Sequence, residues 1–238
     1  MSDAVVRWDS IEHAYQDDFV FRHLTSRLNR GECRLLAGSN GSGKTTLLRI
    51  VAGLLRATGG SVTWFDDSDA PDEAVRARIG YLGHGVGLYA DLTGRENLRF
   101  FSRLYDADES RIEGLLDRLE LAHRADEPIR SYSRGMKQRL AIARALVHGP
   151  DLLLLDEPFT GLDASGADIL ETLLREATEA GGSVLFTSHR LDRATRVATG
   201  ATVFARAATR DIDLDSIPAG ERAALVLSAM ESGERTPA

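Results

Sequence analysis

The sequence has one cysteine, Cys33, and lacks both a long apolar run and a secretory start. A single cysteine cannot form an internal disulfide or supply a Cys/His metal cluster, and it fits a reducing compartment. No stretch of about 18 apolar residues is present to span a bilayer, and residues 1–8 show no basic start followed by an apolar segment. We therefore expect a cytoplasmic protein whose association with a membrane depends on a partner.

Lysine is also scarce: of the 29 basic residues only Lys44 and Lys137 are lysine, and arginine supplies the rest. The 36 acidic residues outnumber the basic ones, which gives a net charge of −7, and no block of basic residues occurs. Such a chain has no electrostatic footprint for a nucleic-acid backbone, so we expect no nucleic-acid partner. The length of 238 residues fits one or two compact domains.

Short apolar runs alternate with helical patterns along most of the chain. Two runs, 152–155 and 184–186, have no polar alternation, which is typical of strands buried on both faces. Alternating strands and helices predict an α/β fold in which helices cover a mainly parallel sheet. The predicted strands are 33–37, 61–65, 79–83, 152–155 and 183–188, and the predicted helices are 44–55, 135–147 and 164–180.

The segment 92–130 differs, because it has two polar helical patterns and no apolar strand. Thr93 followed by Glu96 predicts a capping box at the start of a helix. Three apolar residues repeat behind it at helical spacing, namely Leu98, Phe101 and Leu104. We therefore predict one domain, 1–238, with a core of 1–91 and 131–210, a helical subdomain of 92–130 and a weakly patterned tail of 211–238.

A glycine-rich segment after the first predicted core strand has the pattern of a phosphate-binding loop and opens a predicted helix. Glycines let the backbone curl so that consecutive N–H groups and the helix N-terminus converge on phosphate oxygens. Lys44 adds a full positive charge, and the Thr45 hydroxyl is available to Mg²⁺. A plain glycine-rich turn is the alternative. The residues assigned to nucleotide binding are Gly38, Ser39, Asn40, Gly41, Ser42, Gly43, Lys44, Thr45 and Thr46.

An apolar strand that ends in two carboxylates, Asp156 and Glu157, lies about 110 residues after this loop. We predict that Asp156 holds Mg²⁺, directly or through water, and that Glu157 polarises the water that attacks the γ-phosphate. Taken alone, the same residues would also suit a solvated acidic turn that Pro158 ends.

Three further segments resemble the ATP-binding cassette family. Residues 131–139 resemble its signature motif, residues 158–163 its D-loop, and residues 187–189 the segment that carries its switch histidine. The resemblance extends over residues 4–200 and implies a P-loop ATPase core with an antiparallel β part near the N-terminus and an inserted helical subdomain.

The resemblance also implies roles for particular residues. Tyr15 would lie against the adenine, and Lys44, Glu157 and His189 would be catalytic. Two such domains would pair head to tail as a homodimer or an equivalent pair, so that Ser133, Gly135 and Asp163 contact ATP bound to the partner. Simpler interpretations remain for three of these: Tyr15 as a packing residue, His189 as a buried structural histidine, and Asp163 as a helix cap.

Two departures from the family pattern stand out. The usual Leu-Ser-Gly-Gly-Gln has become Tyr132-Ser133-Arg134-Gly135-Met136, which keeps the serine and the second glycine. His84 stands where the family has a glutamine that senses Mg²⁺ and the membrane partner, so His84 is assigned both to the metal and to the nucleotide. The alternative for His84 is an ordinary residue of a flexible loop.

Residues 81–84, 92–98 and 157–163 resemble the branch of the family that exports haem during bacterial cytochrome c maturation. The resemblance implies an ATP- and Mg²⁺-dependent subunit of a membrane transporter, on the cytoplasmic face of the inner membrane and bound to integral membrane subunits. A soluble cassette ATPase that acts as an assembly switch is a second reading, and a small-molecule kinase or GTPase is a third.

Overall fold

A six-stranded sheet forms the centre of the protein in this computed structural model, which describes residues 3–16, 18–65, 68–205 and 208–232. Its strands are β3 Cys33–Gly38, β5 Ile79–Leu82, β6 Leu152–Leu155, β7 Ser183–Thr187, β8 Gly200–Ala205 and β9 Ala208–Asp213. They lie in the order β5-β6-β7-β3-β8-β9, and all neighbours are parallel except β8 and β9. The mainly parallel sheet is as predicted.

The central strands are buried on both faces. All residues of Leu152–Leu155 and of Ser183–Thr187 are buried, which explains why neither run alternates with polar residues. Cys33 is 1% exposed in β3, and burial raises the pKa of its thiol far above the usual range. Because β3, β5, β6 and β7 run parallel, the segments that follow them meet at one edge of the sheet.

A second, antiparallel sheet has the order β2-β1-β4, with β1 Ala4–Tyr15, β2 Asp18–Asn29 and β4 Gly59–Trp64. It provides the antiparallel part that the family resemblance implied. The predicted strand 61–65 belongs to this sheet rather than to the parallel one, because it pairs with β1, for example at Val6 and Trp64. The helix α1 (Lys44–Val51) shares one apolar core with both sheets.

The predicted helical segment contains α3 (Gly94–Leu104) and α4 (Arg111–Arg118), followed by two 3₁₀ turns, Ala122–Arg124 and Ile129–Ser131. The capping box is present: Thr93 Oγ1 accepts a bond from Glu96 N at 3.1 Å, and Thr93 N donates to Glu96 Oε2 at 2.8 Å.

The helix that the spacing of Leu98, Phe101 and Leu104 predicted is present as α3, but the three side chains do not share one face: Leu104 is 64% exposed, whereas Leu98 is fully buried. Each step of three residues falls about 60° short of a full helical turn, so Leu104 lies about 120° around the helix from Leu98. Two such steps therefore place the Leu104 side chain outside the buried face of α3.

The remaining helices surround the two sheets: α2 Glu73–Ala77, α5 Arg134–Leu146, α6 Ala164–Glu179, α7 Leu191–Val197 and α8 Ala219–Ser232. The helix predicted over 44–55 ends earlier, at Val51, because Gly53 takes a left-handed conformation with φ of 67°.

The weakly patterned tail contains the end of β9 and the helix α8. In α8 only Val226 and Ala229 are buried, so the helix shows little periodicity in the sequence. Residues 233–238, at the end of this tail, lie outside the described residues.

Candidate active site

A cavity of about 950 Å³ opens at the edge of the parallel sheet where β3, β5, β6 and β7 end. Its walls come from the glycine-rich loop, from the segments after β5, β6 and β7, from the end of β1 and the start of β2, and from Arg134, Lys137 and Gln138 of α5. The predicted site residues that line it are Tyr15, Asn40, Gly41, Ser42, Gly43, Lys44, Thr45, Thr46, His84, Asp156, Glu157 and His189. Gly38 and Ser39 belong to the same loop but do not line the cavity.

The loop between β3 and α1 depends on glycine at two positions. Gly38 and Gly43 have φ values of 156° and 99°, which other residues rarely adopt. A Cβ at Gly43 would lie only 2.7 Å from Val20 Cγ1, and one at Gly38 only 2.7 Å from Ser42 Oγ. No side chain caps the start of α1, so its first N–H groups are available to an anion.

The Lys44 ammonium is held inside the loop by two main-chain oxygens. Its Nζ donates to Gly38 O at 2.7 Å and to Ser39 O at 2.8 Å, and the residue is only 8% exposed. Burial lowers the pKa of Lys44, while the nearby carboxylates of Glu157 and Asp156 act in the opposite direction. The charge is therefore fixed between the loop and the acidic strand end.

Asp156 connects the loop to the ends of β6 and β7. The Thr45 hydroxyl donates to Asp156 Oδ2 at 3.0 Å, and the Thr187 hydroxyl donates to Asp156 Oδ1 at 2.8 Å. Thr187 Oγ1 also accepts a bond from Glu157 N at 2.8 Å. Thr187 was not among the predicted site residues, because its bonds depend on β6 and β7 being neighbours in the sheet.

Glu157 is held in an unusual backbone conformation, with φ of 52°. Strain of this kind in a residue other than glycine persists where surrounding contacts enforce it, and it clusters at functional sites. Glu157 Oε2 accepts a bond from His189 N at 3.0 Å, and Oε1 faces His189 Nε2 at 3.4 Å. One carboxylate oxygen is thus oriented by the backbone, while the other lacks a hydrogen-bond donor among the described residues.

Tyr15 and His84 lie at the rim of the cavity. Tyr15 is 51% exposed, and its ring makes an edge-on contact with the buried His13 ring at 4.8 Å between centroids. A tyrosine so exposed has a face available for stacking with a planar ligand. His84 is exposed in the segment that joins β5 to α3.

Three predicted site residues do not line this cavity: Ser133, Gly135 and Asp163. Ser133 caps α5 by accepting a bond from Met136 N at 3.2 Å, and Asp163 caps α6 by accepting one from Gly166 N at 2.9 Å. Ser133 and Asp163 are exposed. Residues of the same two segments, Arg134, Lys137, Gln138 and Thr160, do line the cavity. The Ser133 hydroxyl and the Asp163 carboxylate therefore serve as helix caps within this chain and are not part of the surface around its own Lys44.

Residues 21–160, more than half of the chain, match the family described as ABC transporter. The chain belongs to the ABC transporter family. It is an ATPase of that family and binds ATP, which decides against the reading as a small-molecule kinase or a GTPase.

Several curated relatives of this ABC ATPase are similar to comparable degrees. The ABC transporter ATP-binding protein NatA of Bacillus subtilis is 39% identical over 178 residues, 72% of either chain. The Nod factor export ATP-binding protein I of Cupriavidus pinatubonensis is 36% identical over 82% of this chain and 61% of its own. The cytochrome c biogenesis ATP-binding export protein CcmA of Haemophilus influenzae is 40% identical over 72% of this chain and 82% of its own.

Solved structures agree with the fold of this ABC ATPase. A structure titled as the ATP-binding subunit of an ABC transporter superposes with a TM-score of 0.85 at 26% identity, covering 97% of this chain and all of the other. A dimeric ATP-binding cassette in a post-hydrolysis state, bound to ADP and Pi, gives a TM-score of 0.79 at 25% identity, covering 88% and 98% of the two chains.

Proposed function

We propose that this ABC ATPase is the ATP-hydrolysing subunit of an exporter and works as a head-to-tail pair with a second copy. One observation carries the proposal: Ser133, Gly135 and Asp163 lie outside the cavity formed by the same chain's phosphate loop. A second copy, turned head to tail, supplies them to the open side of that cavity. The similarity to a dimeric cassette bound to ADP and Pi supports this arrangement.

The hydrolytic step is assigned to Glu157 as general base. Its Oε1 accepts a proton from the attacking water, while the bond from His189 N holds the carboxylate in place. The His189 imidazole, 3.4 Å from Oε1, orients the same water. Lys44 neutralises the charge that develops on the β- and γ-phosphates, since its ammonium is fixed within the loop.

The oxygen atoms of Thr45 and Asp156 suit Mg²⁺. They lie within 3.1 Å of each other at the phosphate loop, and Mg²⁺ prefers oxygen ligands and shares them with substrate phosphates. His84, on the rim of the same cavity, would contact a water of the ion. The ion would supply charge neutralisation on the phosphates when bound.

Ser133 and Gly135 are assigned to the γ-phosphate of ATP bound to the other copy. The Ser133 hydroxyl acts as an acceptor towards Met136 N, so its hydrogen is left to donate to a phosphate oxygen. The N-terminus of α5 adds the positive end of the helix dipole. Loss of the γ-phosphate removes these contacts, so closure and release of the pair follow the hydrolytic cycle.

Substituting Ser133 tests whether this segment acts on the other copy. We expect Ser133→Arg to lower ATP hydrolysis at least about tenfold, because a bulky cation at the contact prevents closure. The dissociation constant for ATP on the monomer should stay within about twofold, since the chain's own loop is intact. The control is Ser110→Arg, which alters another exposed serine at a helix N-cap. If Ser133→Arg weakens ATP binding to the monomer as strongly as it lowers hydrolysis, the segment acts within one chain.

The surface that would meet a membrane subunit lies beside α3. Tyr89, Phe100 and Leu104 are 49%, 42% and 64% exposed, and the Tyr89 and Phe100 rings lie 4.9 Å apart. Exposed apolar groups in one cluster indicate an interaction site. None of the helices in the described part of the chain has the length and apolar character needed to span a bilayer. We assign the cluster to a short cytoplasmic segment of an integral membrane subunit at the inner membrane.

Haem is the cargo that the motifs 81–84, 92–98 and 157–163 favour, and similarity to a cytochrome c biogenesis export protein supports it. The Nod factor export protein, at 36% identity, supports export as the direction.

Isolation of the tagged chain from membranes together with a multispanning protein would support the transporter, and its recovery from the soluble fraction alone would favour an assembly switch. Cytochrome c maturation genes beside this one would support haem.

A further inference from the structure

The segment that carries His84 has few attachments to the rest of the protein. Residues 83–88 contain three glycines, and β5 ends just before them at Leu82. Within the described ranges, no hydrogen bond fixes the backbone of 83–88 to a neighbouring element. Val86 and Leu88 pack their side chains against the core, but a glycine-rich segment without backbone bonds still has many accessible conformations around His84.

The Arg144 guanidinium, from α5, contacts both ends of this segment. Its Nη2 donates to Tyr81 O at 2.8 Å, just before the segment. At the other end its Nη1 lies against Gly87, where an added Cβ would be only 2.9 Å away. Its carbon Cζ also lies 5.2 Å from the centre of the Phe101 ring of α3. One side chain thus joins the His84 segment to the helical subdomain.

The positive charge of Arg144 has no carboxylate partner among the described residues. No ion pair of the described residues includes it, and its Nε is buried without an acceptor. Burial lowers the pKa of the guanidinium. Arg144 is only partly buried, yet a cation without an ionic partner in such a place opposes folding, and departures of this kind concentrate at functional sites. The planar guanidinium can reach Tyr81 O, Gly87 and Phe101 together, which a neutral apolar residue could not do.

We propose that Arg144 is a positioning residue that holds residues 83–88 so that His84 faces the bound nucleotide. The proposal rests on the role given to His84 under the proposed function. Arg144 lies in α5, and Ser133 is the N-cap of the same helix. The contact with Arg144 therefore connects the His84 segment to the helix whose N-terminus is assigned to ATP of the other copy. Phe101 extends the connection to the exposed aromatic cluster beside α3.

The alternative is that Arg144 only stabilises the fold, and Arg222 provides a matched comparison. Its guanidinium, from α8, is also mostly buried and donates to main-chain oxygens, with Nε 3.0 Å from Ile217 O, and it pairs with Asp215 at 3.7 Å. It lies away from the cavity and contacts none of its lining residues among the described contacts. Arg222→Gln therefore removes main-chain bonds of the same kind, together with one long ion pair, without touching the His84 segment.

The test is a double-mutant cycle between Arg144→Gln and His84→Ala, measured as ATP hydrolysis with Mg²⁺. We expect each single variant to lower kcat about tenfold with KM for ATP within about twofold, and the double variant to be no slower than the slower single one. Arg222→Gln should lower the melting temperature about as much as Arg144→Gln does, yet keep kcat within about twofold of the wild-type value.

Three outcomes would overturn the proposal. The first is a double variant whose loss equals the product of the single losses, because Arg144 would then act independently of His84. The second is an equal fall in kcat for Arg222→Gln, and the third is a His84→Ala variant as active as the wild type. The head-to-tail mechanism is tested separately: it fails if the Ser133→Arg variant hydrolyses ATP at the wild-type rate.

Discussion

Glu157→Gln is expected to lower ATP turnover by at least about 10²-fold while ATP still binds, because a glutamine amide cannot accept the proton of the attacking water. Glutamine keeps the size of the side chain, and its oxygen can still accept the bond from His189 N that orients the carboxylate at 3.0 Å. Hydrolysis is measured as phosphate release, and binding by calorimetry. The control is Glu176→Gln, which alters an exposed glutamate on α6 that pairs with Arg118.

The same variant should accumulate a dimer, since the γ-phosphate that joins the two copies is no longer removed. We expect size-exclusion chromatography of Glu157→Gln to show a dimer with ATP and a monomer with ADP. Adding Ser133→Arg to the same chain should abolish the dimer without preventing ATP binding. A Glu157→Gln chain that binds ATP and stays monomeric would contradict the head-to-tail mechanism, and a variant that hydrolyses ATP at the normal rate would remove Glu157 as the base.

The phosphate loop was predictable because its chemistry is local in the sequence. Strand, glycines, lysine and helix follow one another, and the bonds from Lys44 to Gly38 O and Ser39 O arise within seven residues. Thr187 could not be assigned in this way. Its bonds to Asp156 and Glu157 depend on β6 and β7 being parallel neighbours, a pairing that sequence patterns do not specify.

Two features of the fold were left open by the sequence for a similar reason. The strand at 61–65 is apolar like the core strands, and only its pairing with β1 places it in the second sheet. Leu104 follows Leu98 by two steps of three residues, and the angular offset of these steps places its side chain in solvent. Periodicity therefore predicted that these elements exist, whereas tertiary contacts determined which sheet or face they occupy.

Arg144 shows the limit of motif reasoning most clearly. In an arginine-rich chain it is one of 27, and nothing in its sequence neighbourhood distinguishes it. Its contacts with Tyr81 O and Gly87 span more than 50 residues and appear only when α5 packs against the end of β5.

Lys44→Arg is expected to abolish most activity even though the charge is kept, with hydrolysis lowered at least about 10²-fold. The ammonium lies 2.7 Å from Gly38 O and 2.8 Å from Ser39 O, in a loop where even a Cβ at Gly38 would approach Ser42 Oγ to 2.7 Å. A guanidinium is wider and planar, so it must leave this position or push the loop outwards. Either change separates the charge from the phosphates.

Comparing Lys44→Arg with Lys44→Ala separates shape from charge. If shape decides, both variants should lose ATP binding to a similar extent, by at least about tenfold in dissociation constant, and circular dichroism should show an intact fold. Arginine replaces lysine almost everywhere else in this chain, where 27 of the 29 basic residues are arginine. If the Lys44→Arg variant kept wild-type hydrolysis, the geometry of the loop would not explain why position 44 is a lysine.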